Sequence, residues 1–260
     1  MRRIVCTGWY CGSDEHRNYI THGSDKIRTI EFRKLWLESV NKFLAPDLIF
    51  VVNSNSQQKP VFDSTKEEWC DLTINPGHPQ NTSFKFSGWT TSVLIGLEFS
   101  LASKVDYFLY VEQDCLVYGA SIIEEIEKAL KKKPYVFGKA KNRTQPLEQS
   151  FFAIKRDFIS EFISNLHMIK QSDKIVGPEY KFLMAVAGRR TIFINNVISN
   201  IHPSLGFRFR RYVSYINKLN FLPFGYGRIR PINFKDSNFY FQHGSIKEIQ
   251  YYKKKLNNLI

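Results

Sequence analysis

The sequence predicts an α/β fold with a mostly parallel central sheet, flanking helices and a smaller mixed second half. Short apolar runs rich in β-branched and aromatic residues alternate with longer segments whose apolar positions repeat at helical spacing. This alternation is typical of parallel strands joined by right-handed crossovers. The chain has 260 residues, 43% of them hydrophobic, which suffices for one sizeable core. We therefore predict a single domain over residues 1–260, divided into a half from 1–120 and a half from 121–260.

A β-α-β unit opens the chain. Ile4–Thr7 and Leu48–Val52 are buried-strand patterns, and Phe32–Leu44 between them has apolar residues at helical spacing. The polar residues of that helix are expected on its solvent face: Arg33, Lys34, Glu38 and Lys42. Leu72–Ile74 is predicted as a third, short strand, and Ser87 as the start of a second helix.

The next strand carries the most informative residues. Tyr107–Glu112 is an aromatic and aliphatic run typical of a strand buried on both faces. It ends in Glu112, and Asp114 follows at i+2, a spacing that lets both carboxylates point the same way. Ligands of open α/β sheets bind outside the carboxyl ends of the strands. A ligand or metal site is therefore expected at these two acids, although an acidic loop after a core strand would have the same pattern.

The second half alternates less regularly. Strands are predicted at Tyr135–Phe137, Phe151–Ile154, Thr191–Ile194 and Asn238–Gln242. Helices are predicted over 158–166, from Gly177-Pro178 onward, and from Ser245 to the C-terminal residues. Two capping boxes are expected, Ser121 with Glu124 and Ser245 with Glu248. The stretch 201–236 has little periodicity and contains several arginines among aromatic residues and glycines.

Charge and cysteine usage limit the function classes. The formal net charge of +13 indicates an anionic partner, which could be nucleic acid, an acidic membrane surface or a phosphorylated small molecule. The four cysteines have no paired CxxC spacing, so a zinc cluster is not expected, and Cys6 and Cys115 are predicted to be reduced core thiols. No signal peptide and no 18-residue apolar window are found. These observations predict a cytoplasmic protein, with peripheral attachment at the inner membrane face as an option.

The order of these parts resembles the GT-A class of nucleotide-sugar-dependent glycosyltransferases. The resemblance rests on the acidic motif after the fourth strand, here Glu112-Gln-Asp114, with Glu in place of the first Asp. It implies a nucleotide-sugar-binding half over 1–120 and an acceptor half with a C-terminal helix over 121–260. By the resemblance, Asp114 is a ligand of Mn²⁺ or Mg²⁺, and Glu112 contacts the metal or the ribose. Such a metal neutralises the charge that develops on a diphosphate leaving group.

Two later residues extend the resemblance. His243, at the end of the last predicted strand, resembles the late histidine that completes the metal site in such enzymes, although it could equally be a buried hydrogen-bonding residue. Glu179 stands at a helix start where these enzymes place an acid, with Tyr180 in place of the usual Asp. The resemblance implies that Glu179 is the general base toward the acceptor hydroxyl and that the anomeric configuration inverts. The alternative is an acid that only stabilises the first turn of a helix.

The nucleotide sugar is expected at the strand ends. Thr7, Gly8 and Tyr10 after the first strand and Asn53 after the second are candidates for base and ribose. Diphosphate contacts are expected from some of the basic residues Lys85, Arg208, Arg210 and Arg211. The acceptor implied by the resemblance is a glycan or a lipid-linked molecule, as in polysaccharide biosynthesis, with contact to an anionic membrane as an option.

Two further functions share some of these features. A nucleotidyltransferase on a similar fold also needs a metal held by acids, but it carries a glycine-rich basic loop after its first strand, and Gly8-Trp-Tyr-Cys-Gly12 has no basic residue. A basic nucleic-acid-binding protein would explain the arginines and aromatic residues of 206–230, but no sequence motif of a nucleic-acid-binding fold accompanies them. Specific nucleic-acid binding is therefore not predicted. A binding module without a metal remains an alternative if Asp114 is only structural.

Overall fold

The computed structural model describes residues 1–12, 23–139 and 145–257. Its central sheet has six strands among these residues, in the order β3-β2-β1-β4-β7-β6. β1 to β4 are mutually parallel, and β7 runs antiparallel to both β4 and β6. The strands are β1 Arg3–Trp9, β2 Leu48–Asn53, β3 Glu67–Asp71, β4 Tyr107–Val111, β6 Tyr135–Gly138 and β7 Glu148–Lys155. The α/β fold class predicted from the sequence is confirmed.

Helices cover both faces of this sheet and enclose two apolar cores. The helices are α1 Ile30–Leu44, α2 Gly88–Ala102, α3 Ile122–Lys132, α4 Arg156–Met168, α5 Pro178–Ala187, α6 Arg189–Ile201, α7 Pro203–Ile216 and α8 Ile246–Asn257. One core lies between the sheet and α1, α3 and α8. The other lies between the sheet and α2, α4 and α5. No helix among the described residues is both long and apolar enough to span a bilayer.

A small second sheet connects the middle of the chain to its last helix. β5 (Cys115–Tyr118) follows the acidic motif directly and pairs antiparallel with β8 (Phe239–Gln242). In this register Cys115 lies opposite Gln242, so the residues just outside the pair, Asp114 and His243, lie at the same end of the small sheet. The free thiol of Cys115 is fully buried there, and Cys6 is likewise a free, buried thiol, as the sequence predicts.

The third strand was predicted too late in the chain. β3 is Glu67–Asp71 and not Leu72–Ile74, and it pairs with Ile49–Asn53 of β2. The Leu72 amide donates to the carbonyl of Asn53, where β2 ends. Because a strand needs a neighbour to pair with, the register with β2 decides the position of β3, and the local apolar residues do not.

The region after α5 differs more strongly from the prediction. The predicted strand Thr191–Ile194 lies inside α6, and the stretch predicted to be irregular contains α7. The β-branched run at 191–194 favours a strand locally, but Ile192 and Asn195 are buried at helical spacing on the inner face of α6. In α7 the buried residues are Gly206, Arg210 and Val213, whose helical spacing was hidden because only one of them is a large apolar residue.

Arg33 was predicted on the solvent face of α1 but is buried. Its guanidinium donates to Glu67 Oε1 at 2.9 Å and lies over the rings of Trp9, Trp36 and Trp69 at 5.2–5.8 Å from their centroids. Burial of both charged groups is tolerated because they pair with each other and because the rings attract the cation.

Candidate functional site

A cavity of about 300 Å³ opens at the carboxyl ends of β1, β2 and β4. The strand ends contribute backbone and polar groups, and the start of α2 and the loop before it form the opposite wall. The residues lining it are Gly8, Trp9, Tyr10, Arg28, Ser54, Asn75, Gly77, His78, Pro79, Asn81, Gly88, Trp89, Ser92, Tyr110, Glu112 and Gln113. Of the residues assigned to the nucleotide sugar from the sequence, Gly8, Tyr10 and Glu112 are in this lining.

The acidic motif occupies a tight turn between β4 and β5 that is held from three sides. The Glu112 amide donates to Ser150 O at 2.8 Å, and the Glu112 carbonyl accepts from Trp36 Nε1 at 3.0 Å. Gln113, the middle residue of the motif, exchanges two hydrogen bonds with the backbone of Tyr10, at 2.8 and 3.2 Å. The carboxylates at 112 and 114 are therefore fixed relative to the end of β1.

Asp114 is buried and lies between two basic side chains. Its Oδ2 is 3.1 Å from Arg28 NH2 and 3.4 Å from His243 Nε2. Its Oδ1 is also buried, and no hydrogen bond to it is formed within the described part of the chain. An unpartnered buried carboxylate oxygen is energetically unfavourable, so an additional donor or cation at this position would stabilise the turn.

Arg28 and His243 reach Asp114 because the segments that carry them are joined. Arg28 ends a short 3₁₀ helix, Asp25–Arg28, which Ser24 caps. The Ser24 amide donates to the carbonyl of Gly244 at 3.1 Å, next to His243. His243 has a backbone φ of +56°, a left-handed conformation that is unusual for a residue other than glycine. Such conformations are often retained at functional sites, and here it directs the imidazole toward Asp114.

The Glu112 carboxylate is strongly perturbed. Its pKa is raised to about 8, first by burial and then by the charge of Asp114, while Arg228 and Arg28 act in the opposite direction. Its Oε2 is shielded from solvent and has no hydrogen-bond partner within the described residues. Without a bound cation, Glu112 therefore holds a proton near neutral pH, and a cation at the site would displace it.

Two more carboxylates share the field of Arg228. Burial raises the pKa of Glu148, the first residue of β7, to about 7, and burial likewise raises the pKa of Glu179, in the first turn of α5. Arg228 lowers the pKa of both, and Glu179 raises that of Glu148 and of Glu112. Arg228 therefore acts on all three buried glutamates, Glu112, Glu148 and Glu179, and favours their ionised forms.

The loop that carries Arg228 precedes β8 in the chain and is hydrogen-bonded along it. Gln242 N donates to Gly227 O at 3.0 Å, and Tyr226 N donates to Tyr240 O at 2.9 Å. Gly225 has φ +114°, and a Cβ there would lie 2.0 Å from the Tyr240 ring. A Cβ at Gly227 would lie 2.7 Å from the Glu148 carboxyl carbon. Glycine at both positions lets the loop approach closely enough to bring Arg228 to the acids.

Several residues predicted for the site lie elsewhere in this arrangement. Thr7 is buried and its hydroxyl donates to the carbonyl of Gly8 at 3.3 Å. Asn53 is buried and bridges Asp71 and the Ser56 amide. Arg208 is exposed on α7, and none of these three lines the cavity. Among the other basic residues considered for the diphosphate, Lys85 bonds to the carbonyl of His167, Arg210 is buried between α6 and α7, and Arg211 is exposed on α7.

The fit of a divalent metal can be judged from these contacts. In the described ranges, no three His, Cys, Asp or Glu side chains form a group that could hold a metal by themselves. The orphaned oxygens Asp114 Oδ1 and Glu112 Oε2 nevertheless fit a hard cation, because Mg²⁺ is usually held by one or two carboxylates plus substrate phosphates. His243 Nε2, which lies 3.4 Å from Asp114 Oδ2, is near enough to contribute.

Four site residues were not assigned a role from the sequence: Arg28, His78, Glu148 and Arg228. His78 belongs to the loop Asn75-Pro-Gly-His-Pro79, where Gly77 has φ +82° and the Gly77 carbonyl accepts from Gly88 N at 2.9 Å. Burial lowers the pKa of His78, and Arg228 and Arg28 lower it further. The dense glycine and proline punctuation of this loop was the only sequence signal, and it indicates a fixed turn without saying what the turn contacts.

Comparisons with known proteins give similarity of structure only. No protein-family model matches the sequence, and comparison with curated proteins gives no match. Among solved structures, 4-diphosphocytidyl-2C-methyl-D-erythritol synthase from Anaerococcus prevotii is similar at 11% identity and a TM-score of 0.43, over 72% of this chain and 84% of that chain. The TarS fragment 1–349 from S. aureus, in complex with UDP-GlcNAc, is similar at 10% identity and a TM-score of 0.43, over 71% of this chain and 53% of that chain. Similarity at this level assigns no residue role.

Proposed function

We propose that this protein is a metal-dependent glycosyltransferase of glycan assembly. It would move a sugar from a nucleotide-diphosphate sugar to a hydroxyl of a glycan or lipid-linked acceptor, with inversion at the anomeric carbon. The observation that carries the proposal is the cavity at the strand ends, which Glu112 and Arg28 line, together with the orphaned oxygens of Glu112 and of Asp114, the ion-pair partner of Arg28. The arginine can bind an anionic ligand, and the carboxylates can bind a cation.

Different side chains would bind the nucleobase, the diphosphate and the metal of the donor complex. Tyr10 offers an aromatic face for a nucleobase, and Arg28 lies where it can pair with a diphosphate. Three further donor contacts predicted from the sequence lie outside the cavity lining and stay predictions: Thr7, Asn53 and Arg208. A divalent metal held by Asp114, Glu112 and His243 would neutralise charge on the diphosphate leaving group when bound.

The acceptor reaction needs a base on the opposite side of the sugar. The acceptor oxygen forms a bond to the anomeric carbon, the bond to the diphosphate oxygen breaks, and the nucleoside diphosphate leaves with the electron pair. Glu179 would take the acceptor hydroxyl proton. Its raised pKa makes it a stronger base than an exposed glutamate, and the charge of Arg228 favours its ionised form.

A thermal-shift screen of nucleotide sugars, with and without Mn²⁺, tests the proposal. A donor at about 100 times its Kd adds about 2.7 kcal/mol of stability, which corresponds to a rise in Tm of roughly 5–10 °C for a domain of this size. We expect this rise only when metal and one nucleotide sugar are both present. Asp114→Asn should remove it, whereas Asp63→Asn, in an exposed loop turn, should retain it.

Three other results would contradict the proposal. Stabilisation by a nucleoside triphosphate and a sugar phosphate, but by no nucleotide sugar, would indicate the nucleotidyltransferase. Stabilisation by arbitrary oligonucleotides alone would indicate a nucleic-acid-binding protein. A full response in the Asp114→Asn variant would remove the metal assignment and leave a metal-free binding module.

A further inference from the structure

The helical hairpin of α6 and α7 has an unusual surface. Among the described residues, nine of the eighteen large apolar side chains that are exposed lie between residues 189 and 216. They are Phe193, Ile194, Val197, Ile201, Leu205, Phe207, Tyr212, Tyr215 and Ile216. Phe193, Ile201 and Tyr215 are each about two-thirds exposed or more, at 67%, 72% and 67%. Clustered exposed apolar residues mark an interaction surface, whereas isolated ones do not.

Three polar residues of the hairpin, Asn195, Ser199 and Arg210, bond to one another between the two helices. Arg210 NH1 is buried and donates to Asn195 Oδ1 at 3.0 Å and to Ser199 Oγ at 3.3 Å. A Cβ at Gly206 would lie 2.2 Å from Ser199 Oγ, so the two helices cross closely there. The helices are therefore joined partly through polar groups, while nine large apolar side chains are presented outward.

The charged residues that the hairpin contributes to this surface are all basic. The sequence has no Asp or Glu between Glu179 and Asp236. Arg189, Arg190, Arg208 and Arg211 are exposed on the two helices, and Lys218 is exposed just after α7. Arg189 and Arg190 occupy the first turn of α6, where the helix dipole disfavours cations and an anion is favourable. Apolar side chains surrounded by arginines, with no carboxylate, match an anionic lipid surface.

We propose that the outer face of the α6–α7 hairpin docks on anionic lipid membranes. Phe193, Ile201, Tyr212 and Ile216 would enter the interface, and the arginines would pair with lipid phosphates. A second copy of this chain fits less well, because a symmetric contact would bring two sets of arginines together without a compensating acid. Docking does not depend on a transfer reaction, so it can be tested separately from the proposed function.

The hairpin lies close to Glu179, and the role of this contact rests on the proposed function. The Phe207 ring on α7 lies 6.0 Å from the ring of Tyr180, the neighbour of Glu179. Arg210 also lies over the Tyr180 ring. A membrane bound at the hairpin would therefore lie beside the candidate base, where a lipid-linked acceptor could reach it.

Co-sedimentation with vesicles tests the docking surface. The test vesicles contain phosphatidylcholine with about 30% phosphatidylglycerol, which gives them an anionic surface. Pure phosphatidylcholine vesicles serve as the neutral reference. We expect binding to the anionic vesicles that weakens steeply with salt. Arg189→Gln with Arg190→Gln should weaken it on the order of 20-fold, about fivefold for each charge. Phe193→Ser with Ile201→Ser should weaken it by at least tenfold.

Matched variants elsewhere on the surface control for general effects. Lys253→Gln with Lys254→Gln on α8 removes two exposed charges, and Val61→Ser with Ile175→Ser removes two exposed apolar side chains. Both should retain binding to within about twofold to threefold of the unchanged protein, apart from the small loss of general charge. Circular dichroism of each variant establishes that it is folded.

Other results would overturn the proposal. Equal binding to neutral and anionic vesicles, or an equal loss in hairpin and control variants, would show that the hairpin is not an anionic-lipid surface. Absence of vesicle binding would overturn it directly. Analytical ultracentrifugation that shows a dimer broken by Phe193→Ser with Ile201→Ser, in protein that does not bind vesicles, would assign the face to a second copy instead.

Discussion

At the scale of single residues, two acids compete for the role of base. Glu179 and Glu148 both have a pKa above the ordinary value because both are buried, and both lie in the field of Arg228. The charge of Glu179 also raises the pKa of Glu148, so ionised Glu179 disfavours the ionisation of Glu148. Two acids with shared titration can divide the roles of proton acceptor and electrostatic partner.

The variants Glu179→Gln and Glu148→Gln distinguish these roles. Glu179→Gln should lower kcat by about 10²–10⁴-fold, while a donor still raises the Tm, because only proton transfer is lost. Glu148→Gln should retain transfer and leave the acidic limb of the pH–rate profile nearly unchanged. The reason is that the charges acting on the pKa of Glu179 are those of Arg228 and Asp173. Steady-state rates between pH 5 and pH 9 measure both effects.

The reverse pattern would reassign the base. If Glu148→Gln abolishes transfer and Glu179→Gln leaves kcat nearly unchanged, Glu148 is the proton acceptor and Glu179 only modulates it. If neither variant changes kcat by more than a few-fold, the base lies outside this cluster.

Sequence reasoning at the residue scale worked best where chemistry is local. The position of Glu112 at the end of a buried strand placed this acid at the cavity, with Asp114 two residues on, and the family resemblance placed His243 beside Asp114. It failed for charges whose partners are distant in sequence. Arg33 pairs with Glu67 across 34 residues, and Arg28 with Asp114 across 86. Neither partner can be identified from the sequence around either arginine.

At the scale of secondary-structure elements, helix starts show what local patterns can decide. The predicted capping box at Ser245 and Glu248 forms, with the Ser245 amide donating to Glu248 Oε2 at 2.7 Å and the Glu248 amide to Ser245 Oγ at 3.3 Å. The predicted box at Ser121 and Glu124 does not form. Ser121 precedes α3 but makes no capping bond, because its hydroxyl accepts from Asn238 Nδ2 at 2.6 Å. A tertiary partner has displaced the local one.

The loop before β8 gives a test at this scale. Gly225 combines φ +114° with close contact to Tyr240, whereas Gly188 has φ +93° and open space around its Cβ position. Gly188→Ala should therefore cost about 1–3 kcal/mol from backbone strain alone. Gly225→Ala should cost about 1–3 kcal/mol more, because the new methyl group overlaps the Tyr240 ring.

Urea denaturation of the two glycine variants measures this difference. The larger loss in Gly225→Ala should be accompanied by slower transfer, because the same loop carries Arg228, whose charge favours the ionised form of Glu179. Equal losses of stability in the two variants would mean that the loop can move away from Tyr240, and that Gly225 is needed only for its backbone conformation.

At the scale of the whole molecule, the balance of charge explains why the acid cluster is tolerated. The chain has a formal net charge of +13, and its buried acids lie among arginines. Burial still disfavours the ionised form of Glu112 and Glu148, whose pKa values rise to about 8 and about 7. The unliganded protein is therefore most stable where these groups keep their protons.

The dependence of stability on pH follows from this linkage. In the unfolded chain both glutamates ionise near their ordinary pKa of 4.5, and the folded protein binds more protons above that pH. The free energy of unfolding should thus fall as the pH rises from about 5 to about 8. Glu148→Gln should lose roughly 1–2 kcal/mol less than the unchanged protein over this interval.

Urea titrations at pH 5, 6.5 and 8, without nucleotide or metal, measure this slope. Asp63→Gln is a suitable control, because Asp63 is exposed in a loop turn and its pKa is lowered rather than raised. A slope for Glu148→Gln that is as steep as that of the unchanged protein would show that Glu148 is not protonated in the folded state at neutral pH.

The sequence alone determined the α/β class, the parallel order of the first strands, and the presence of the Glu112–Asp114 pair at a strand end. These features depend on period, spacing and chain direction, which are local properties. Only the tertiary structure decided the position of β3, the helical state of 189–216, and the meeting of Arg28 and Arg228 with the acids. Strand register requires a neighbouring strand. A helical hairpin whose buried residues are partly polar does not show the usual apolar periodicity in its sequence. Ion pairs between distant residues form only after the chain has folded, so the acidic pair was predictable and its arginine partners were not.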